Sequence, residues 1–450
     1  MKTKIDKCKK LVREDNKVIS PAARVPYYPL AVKRAYGSIV EDLDGNKYID
    51  LLASAAALNT GHCHKKVVKA ITEQVQDFIH YTPAYMYHEP LVQLAKELKA
   101  ITPGDFNKRV AFGLSGSDAN DGMIKLARAY TGRSKIISCI QAYHGSTYGA
   151  LSLTALSLNM RRKIGPLVPE IHHIPYPDCY RCVFGQQEAT CNQECLNQLK
   201  IAFQYYLPAE EVAAVIIEPI AGDAGLVVPP QKWIKELYNI CKENGILFVS
   251  EEVQQGFGRT GKWFGIENFG VVPDAVILGK SIASGMPLSA IVAKEEIMQA
   301  WEAPAHLFTT GGNPVSCRAA LATIDVIREE NLLEHSKELG EYVKERFEEM
   351  KDKYELIGDV RGIGLSIGVD LVTDRKTKKK AKEAAAKICY RCWEKGVILT
   401  FFANSVLRIQ PPLVITKQEM DKAIDIIEEA INDYLAGDIP DEILEVAKGW

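Results

Sequence analysis

From about residue 60 to 320, short apolar runs alternate with helix-like stretches, and few folds accommodate that pattern. The runs are "RVAFGL", "KIISCIQAY", "VAAVIIEPI", "ILFVSEEV" and "AVILGK". They are continuously apolar rather than alternating, so both faces of each strand must be covered. One intervening stretch, "PPQKWIKELYNICKENG", puts Trp233, Leu237, Ile240 and Cys241 on one helical face. Pro230 lies near its start and Gly245 stops it. Strands and helices in turn predict an α/β fold with a mostly parallel sheet covered on both faces. The flanks differ. "SIVEDLDGNKYIDL" reads as strand, Asp-Gly turn, strand. Beyond residue 320 come long amphipathic helices and the strand-like "RGIGLSIGVDL". The expected division is an N-terminal segment 1–60 contributing to a small domain, a large domain 61–320, and a small α+β domain 321–450.

The formal charge of −2 over 450 residues, with both signs interspersed, leaves no basic face for nucleic acid or an anionic membrane. No apolar run reaches transmembrane length, and the start, Met-Lys-Thr-Lys, lacks the apolar core of a secretory signal. The expectation is a cytoplasmic protein. Eleven cysteines, an odd number, speak against a disulfide framework. Four of them cluster in "CYRCVFGQQEATCNQEC": Cys179, Cys182, Cys191 and Cys195. Two close pairs could hold zinc or an iron–sulfur cluster, or form a surface insertion with reduced thiols. A second "CYRC", Cys389 and Cys392, lies in a helical segment one turn apart and reads as packing.

In a parallel sheet the functional loops follow the strands, and polar residues do follow these runs. After "RVAF", Ser115, Gly116 and Ser117 make a small donor-rich loop opening a helix that continues through Ala119, Met123, Leu126 and Tyr130. Such a loop offers backbone amides and a dipole end to a phosphate, or is a plain helix cap. "CIQAYHGST" ends a strand in Tyr143 and His144; an aromatic there is core or covers a planar group. "LFVSEEVQQ" ends in Glu251 and Glu252, which by parity face opposite ways, with Val253 on the side of Glu251. "AVILGKSIASG" places Lys280 after an apolar strand among small residues. A lysine there pairs with Glu251 or Glu252, or is partly desolvated and able to form a Schiff base. "VIIEPIAGDAG" carries Asp223 in a small-residue loop, as a turn-former or a catalytic acid. An aldehyde-binding lysine, a phosphate cradle, an aromatic cover and an acid for a ring nitrogen are what pyridoxal 5′-phosphate (PLP) requires.

The strings "SGSDANDGMIKLARAYTGR", "AYHGST", "IIEPIAGDAG", "EEVQQGFGRTGKW", "GKSIASGMPLSA", "FTTGGNP", "VRGIGLSIGVDL" and "LRIQPPL" span nearly the whole chain. In them the sequence resembles the class III, or ω-type, aminotransferases. The resemblance implies PLP fold type I, aspartate aminotransferase-like, with a seven-stranded sheet in the large domain. It makes Lys280 the Schiff-base lysine, and Gly116 and Ser117 the phosphate holders. Thr309 of a neighbouring subunit would help them, so the site implies a homodimer or a dimer of dimers. Tyr143 would stack on one ring face and Val253 on the other. Glu251 would face the pyridine nitrogen, Gln254 the phenolic oxygen, and Arg408 the substrate's α-carboxylate.

Three departures refine the expectation. Glu251 stands where most of the family has aspartate, one methylene shorter. Ser146 stands where γ-aminobutyrate-specific members have arginine, which argues for a neutral side chain in the substrate. Asp223 stands where aminotransferases usually have glutamate. These departures, with "LLASAAALNTGH", "HYTPAY", "RKIGPLVP", "APAHLFTTGGNP" and the terminal "GW", bring the chain nearest the amino-acid racemases and isoleucine 2-epimerases of that class. The expected activity is inversion at Cα of a neutral, branched or apolar α-amino acid, with Lys280, Asp223 and Tyr143 as proton carriers. The alternative is amino transfer to an oxo-acid.

Overall fold

The computed structural model describes residues 4–449; Met1–Thr3 and Trp450, the tryptophan of the terminal "GW", lie outside them. The chain divides into two compact units, one running from Lys65 to Leu333 and the other built from the residues on either side.

The Lys65–Leu333 unit is built on a seven-stranded sheet. Across it the strands run Lys108–Gly113, Ser289–Lys294, Ala275–Leu278, Leu247–Glu251, Val212–Ile217, Lys135–Cys139 and Ile171–Ile174. Only Ser289–Lys294 is antiparallel to its neighbours; the others pair in parallel wherever they are adjacent. The expected mostly parallel sheet is therefore present. All six residues of Val212–Ile217 are buried, as continuous apolar runs require when both faces are covered. Ala214, Ile216, Val249, Ile277 and Ile291 pack with Met123, Leu126 and Ala127 of the helix Gly116–Thr131 in one core. That helix departs from expectation at Tyr130, which is 42% exposed: the apolar stripe ends one turn earlier, at Ala127. The helix Gln231–Glu243 buries Trp233, Leu237, Ile240 and Cys241 as its spacing predicts, and Gly245 follows it at φ +62°.

In the other unit, Val32–Tyr36, Ile39–Asp42 and Lys47–Asp50 form an antiparallel meander, joined in parallel by Val397–Ile398. A second sheet contains "RGIGLSIGVDL", which is not one strand but a hairpin, Ile357–Ile363 against Ser366–Asp374. Gly364, at φ +57°, turns the chain where an L-residue would be strained. Arg408 lies in the strand Val406–Ile409, buried, its guanidinium 4.0 Å from the Phe402 ring centroid. Ala53 to Ala56 of "LLASAAALNTGH" form a left-handed turn, φ 47° to 61°. Each L-residue there costs about 1–2 kcal/mol. Asp50 holds the entry, accepting from the amides of Leu52 and Ala53, with His62 on its second oxygen. No helix among the described residues is long and apolar enough to cross a membrane.

Candidate active site

Four adjacent parallel strands of the large sheet deliver the chemistry-bearing residues to one edge. Ala275–Leu278 leads to Lys280, Leu247–Glu251 to Val253 and Gln254, Val212–Ile217 to Asp223, and Lys135–Cys139 to Tyr143 and His144. Inter-strand spacing of about 4.8 Å sets these loops side by side, so Lys280 and Asp223 leave strands that flank the Glu251 strand.

The loop from Leu114 to Ser117 is fixed from within. Asp118 Oδ2 accepts from the Leu114 and Ser115 amides at 2.9 Å, and Oδ1 accepts from the Ser289 hydroxyl at 2.7 Å. Ser115 closes the capping box by accepting from the Asp118 amide, so its hydroxyl serves the loop. The amides of Gly116 and Ser117 precede the helix's own ladder and point outward as donors. The backbone must come close here: a Cβ on Gly116 would stand 2.8 Å from Val253 Cγ1. One on Gly279 would stand 3.1 Å from the Gly116 nitrogen. Phosphate loop, Val253 and the residue before Lys280 are therefore mutually adjacent. Ser117 Oγ accepts from the Ser146 amide at 3.2 Å, tying this loop to the Tyr143 loop, and Asn120 ties them again by donating to the carbonyls of Gly116 and His144.

Lys280 is half-buried and opens a short 3₁₀ turn at φ +44°, a left-handed conformation for a non-glycine residue. Such strain persists only where surroundings impose it, and it clusters at functional sites. Glu251 lies beside it, fully desolvated. Burial pushes its carboxyl above the ordinary range, the Lys280 charge opposes that, and Asp223 reinforces it. Glu251 Oε1 accepts from the Val253 amide at 2.7 Å and Oε2 faces His144 Nδ1 at 3.3 Å. Ser138 donates its hydroxyl proton to the Leu153 carbonyl, so it accepts from His144 Nε2. Burial lowers His144 to about 4, which keeps the ring neutral. With Nε2 turned to Ser138, Nδ1 is the ring nitrogen that faces Glu251.

Glu252 faces the other way, as parity predicts, and does structural work. It accepts from the Gly265 and Ile266 amides at 2.8 Å and from Ser250 at 3.0 Å, and burial raises it to about 7. Glu252→Gln turns a donor toward those amides and is expected to lower unfolding stability by about 1–3 kcal/mol, read by urea denaturation.

Asp223 sits half-buried in the Gly222–Leu226 turn, where the Gly225 and Leu226 amides bond the Gly222 carbonyl. Gln254 Nε2 donates to Asp223 Oδ1 at 3.3 Å. Tyr143 is half-buried, its amide donating to Glu218 and its hydroxyl 3.4 Å from Ser146 Oγ. Thr309 is exposed, its carbonyl held by His80 Nε2. Sequence reasoning missed Glu218 and Asn120. The signal for Glu218 was an acid ending six buried apolar residues; Asn120 carried none.

The chain belongs to the class III aminotransferase family. The family model, "Aminotransferase class-III", matches residues 20–431. The chain is 50% identical to the isoleucine 2-epimerase of Lentilactobacillus buchneri, with 97% of each covered. It is 48% identical to the leucine/methionine racemase of Thermococcus litoralis, over 98% of this chain and 99% of that one. It is 44% identical to the alanine/serine racemase of Pyrococcus horikoshii, over 97% and 93%. Among solved structures, a Bacillus anthracis aminotransferase superposes with a TM-score of 0.87 at 32% identity, over 96% of this chain and 99% of that one. The cofactor, as in that family, is PLP. The residues present suit it: outward amides at a long helix's start, glycines that keep the loop bare, and a buried acid beside a half-buried lysine.

The four clustered cysteines line a cavity of about 270 Å³ with Ile140, Tyr176 and Phe184. All are free thiols, and burial pushes Cys179 up to about 12 and Cys195 to about 11. Among the described residues, no group of three or more His, Cys, Asp or Glu is arranged to hold a metal. Cys389 and Cys392 are wholly buried in the helix Lys382–Glu394.

Proposed function

We propose that the protein is a racemase or epimerase that inverts Cα of neutral α-amino acids, branched or apolar ones above all. The observation that carries this reading is the pair Lys280 and Asp223, on loops either side of the Glu251 strand. Inversion needs a proton removed on one face of Cα and returned on the other, by groups within hydrogen-bond reach. Amino transfer can use a single lysine. Similarity to three racemases and epimerases over nearly the whole chain supports the reading, as does Ser146 in place of a cation.

When bound, PLP supplies an electron sink that stabilises negative charge at Cα. The chain does the rest. The Gly116 and Ser117 amides hold the phosphate at the positive end of their helix. Tyr143 and Val253 would hold the ring, and Glu251 would keep a proton at its nitrogen. Gln254 orients Asp223 and would serve the phenolic oxygen. Lys280 would hold the group and carry the proton on one face of Cα; Asp223, assisted by Tyr143, would carry it on the other.

The decisive experiment incubates the PLP-loaded protein with L-isoleucine in heavy water without an oxo-acid. Chiral chromatography with mass spectrometry is expected to show inverted product carrying deuterium at Cα. A strict requirement for 2-oxoglutarate or pyruvate would replace this reading with aminotransferase activity.

We further infer a cytoplasmic homodimer. Ile79, Tyr81, Tyr85, Met86 and Tyr87 are exposed, Tyr87 at 98%, and bonds from His80 to Thr309 and from Asn313 to Ile79 tie this stretch to the Thr309 turn. An apolar patch of that kind marks a protein interface. It would bring Thr309 to the partner's phosphate. Tyr87→Asp is expected to shift the protein toward monomer in light scattering and to weaken PLP retention with it.

A further inference from the structure

We propose that Glu218 is a positioning residue that sets the spacing of the two acid/base loops, those of Tyr143 and Asp223. The inference rests on the racemase reading above. Glu218 follows the strand Val212–Ile217 and is 4% exposed. Its side chain reaches both loops: Oε1 accepts from the Tyr143 amide at 3.0 Å, and Oε2 accepts from the Gly222 amide, next to Asp223, at 2.9 Å. Its own carbonyl accepts from the Tyr176 hydroxyl at 3.0 Å, so the anchor is itself anchored.

The residue type follows from those partners. Two N–H groups converge on one side chain, and only a carboxylate offers an acceptor to each. Glutamine would present an NH₂ to one of them. Aspartate, one methylene shorter, reaches one loop at the expense of the other. Desolvating a carboxylate with no cation bonded to it is costly, and Glu251 nearby adds to the cost; burial and that neighbour hold Glu218 above the ordinary carboxylate range. His144 and the two amides oppose the shift. The chain accepts this cost at a point where a simple turn would have needed no acid.

Each loop has bonds of its own, from Asn120 and Ser117 to the Tyr143 loop and from Gln254 to Asp223, but Glu218 is bonded to both. Gly222 lies close against Gln254, a Cβ there standing 2.2 Å from its Oε1. The backbone of Gly222, which leads directly into Asp223, is bonded to Glu218. Tyr143 is placed by the same carboxylate. A misplacement of about 1 Å at such groups costs on the order of 10²-fold in rate. Lys280, two strands away, is untouched by this bridge.

The test compares wild type, Glu218→Gln and Glu218→Asp as PLP holoenzymes with each enantiomer of a neutral amino acid in heavy water. Two rates are measured: deuterium entering substrate of unchanged configuration, and deuterium entering inverted product. Expected for Glu218→Gln are an unchanged cofactor absorption band, KM within about threefold, and inversion slowed by about 10–100-fold. For the enantiomer whose Cα–H faces Lys280, exchange with retention continues, so its ratio to inversion rises at least about fivefold. Glu218→Asp should fall between the two. Equal loss of exchange and inversion with both enantiomers, an unchanged ratio with both, or loss of the cofactor band in both variants would overturn the assignment and leave Glu218 a structural residue. Wild-type protein that exchanges nothing without an oxo-acid would sink the racemase reading instead.

Discussion

Lys280→Ala is expected to abolish inversion at Cα, by roughly 10⁴-fold or more, the scale seen when an enzyme loses its nucleophile or base. The near-ultraviolet and visible band of the lysine-bound cofactor should vanish at the same time, because no other lysine follows an apolar strand into this row of loops. A second expectation separates chemistry from folding. Lys280 is held at φ +44°, and alanine keeps that strain whereas glycine relieves it. Cofactor-free Lys280→Gly should therefore be more stable than Lys280→Ala by about 1 kcal/mol in chemical denaturation, although both are inactive. If the alanine and glycine variants unfold at the same denaturant concentration, the strain is not stored at this residue. Loss of the Lys280 charge also removes the one pull that lowers the Glu251 carboxyl from the side of Lys280, so Glu251 should move further up.

Much of this site was legible because burial and chemistry are written in adjacent residues. "AVILGK" announces a strand buried on both faces and a lysine at its end, and Ala275–Leu278 is that strand. The same logic placed Tyr143, Asp223 and Glu251 on neighbouring loops. The parts that were not legible depend on backbone groups distant in sequence. Glu218 takes its meaning from the amide of Tyr143, 75 positions away. The tautomer of His144 depends on where Ser138 sends its hydroxyl proton, to Leu153. Neither partner has a residue-type signature, since every non-proline residue has an amide and a carbonyl. "RGIGLSIGVDL" looked like one strand because its two halves are equally β-prone, and only the left-handed Gly364 divides them. The helix register was right through Leu126 but not at Tyr130, where the end of the stripe is set by what lies opposite rather than by spacing.

Asp223→Asn is expected to slow inversion by about 10²–10⁴-fold, the usual worth of a general acid or base, with KM changed little. The substitution is close to isosteric. The side-chain oxygen that accepts from Gln254 remains, so the Gly222–Leu226 turn should keep its bonds and the protein its stability. What disappears is the ability to carry a proton. Lys280, on the far side of the Glu251 strand, still can. Deuterium should therefore continue to enter Cα of the enantiomer whose Cα–H faces Lys280, with little inversion, while the other enantiomer neither exchanges nor inverts. That asymmetry is the signature of one missing base out of two, and it differs from the loss of both processes expected for Lys280→Ala. If Asp223→Asn inverts at the wild-type rate, the second proton carrier is Tyr143 itself, and Tyr143→Phe should then show the same split between exchange and inversion. The comparison isolates the chemical consequence of the one-methylene change at this position. A glutamate there would project its carboxyl further from the turn, and its distance from Gln254 would no longer be set by a bond of the length seen for Asp223.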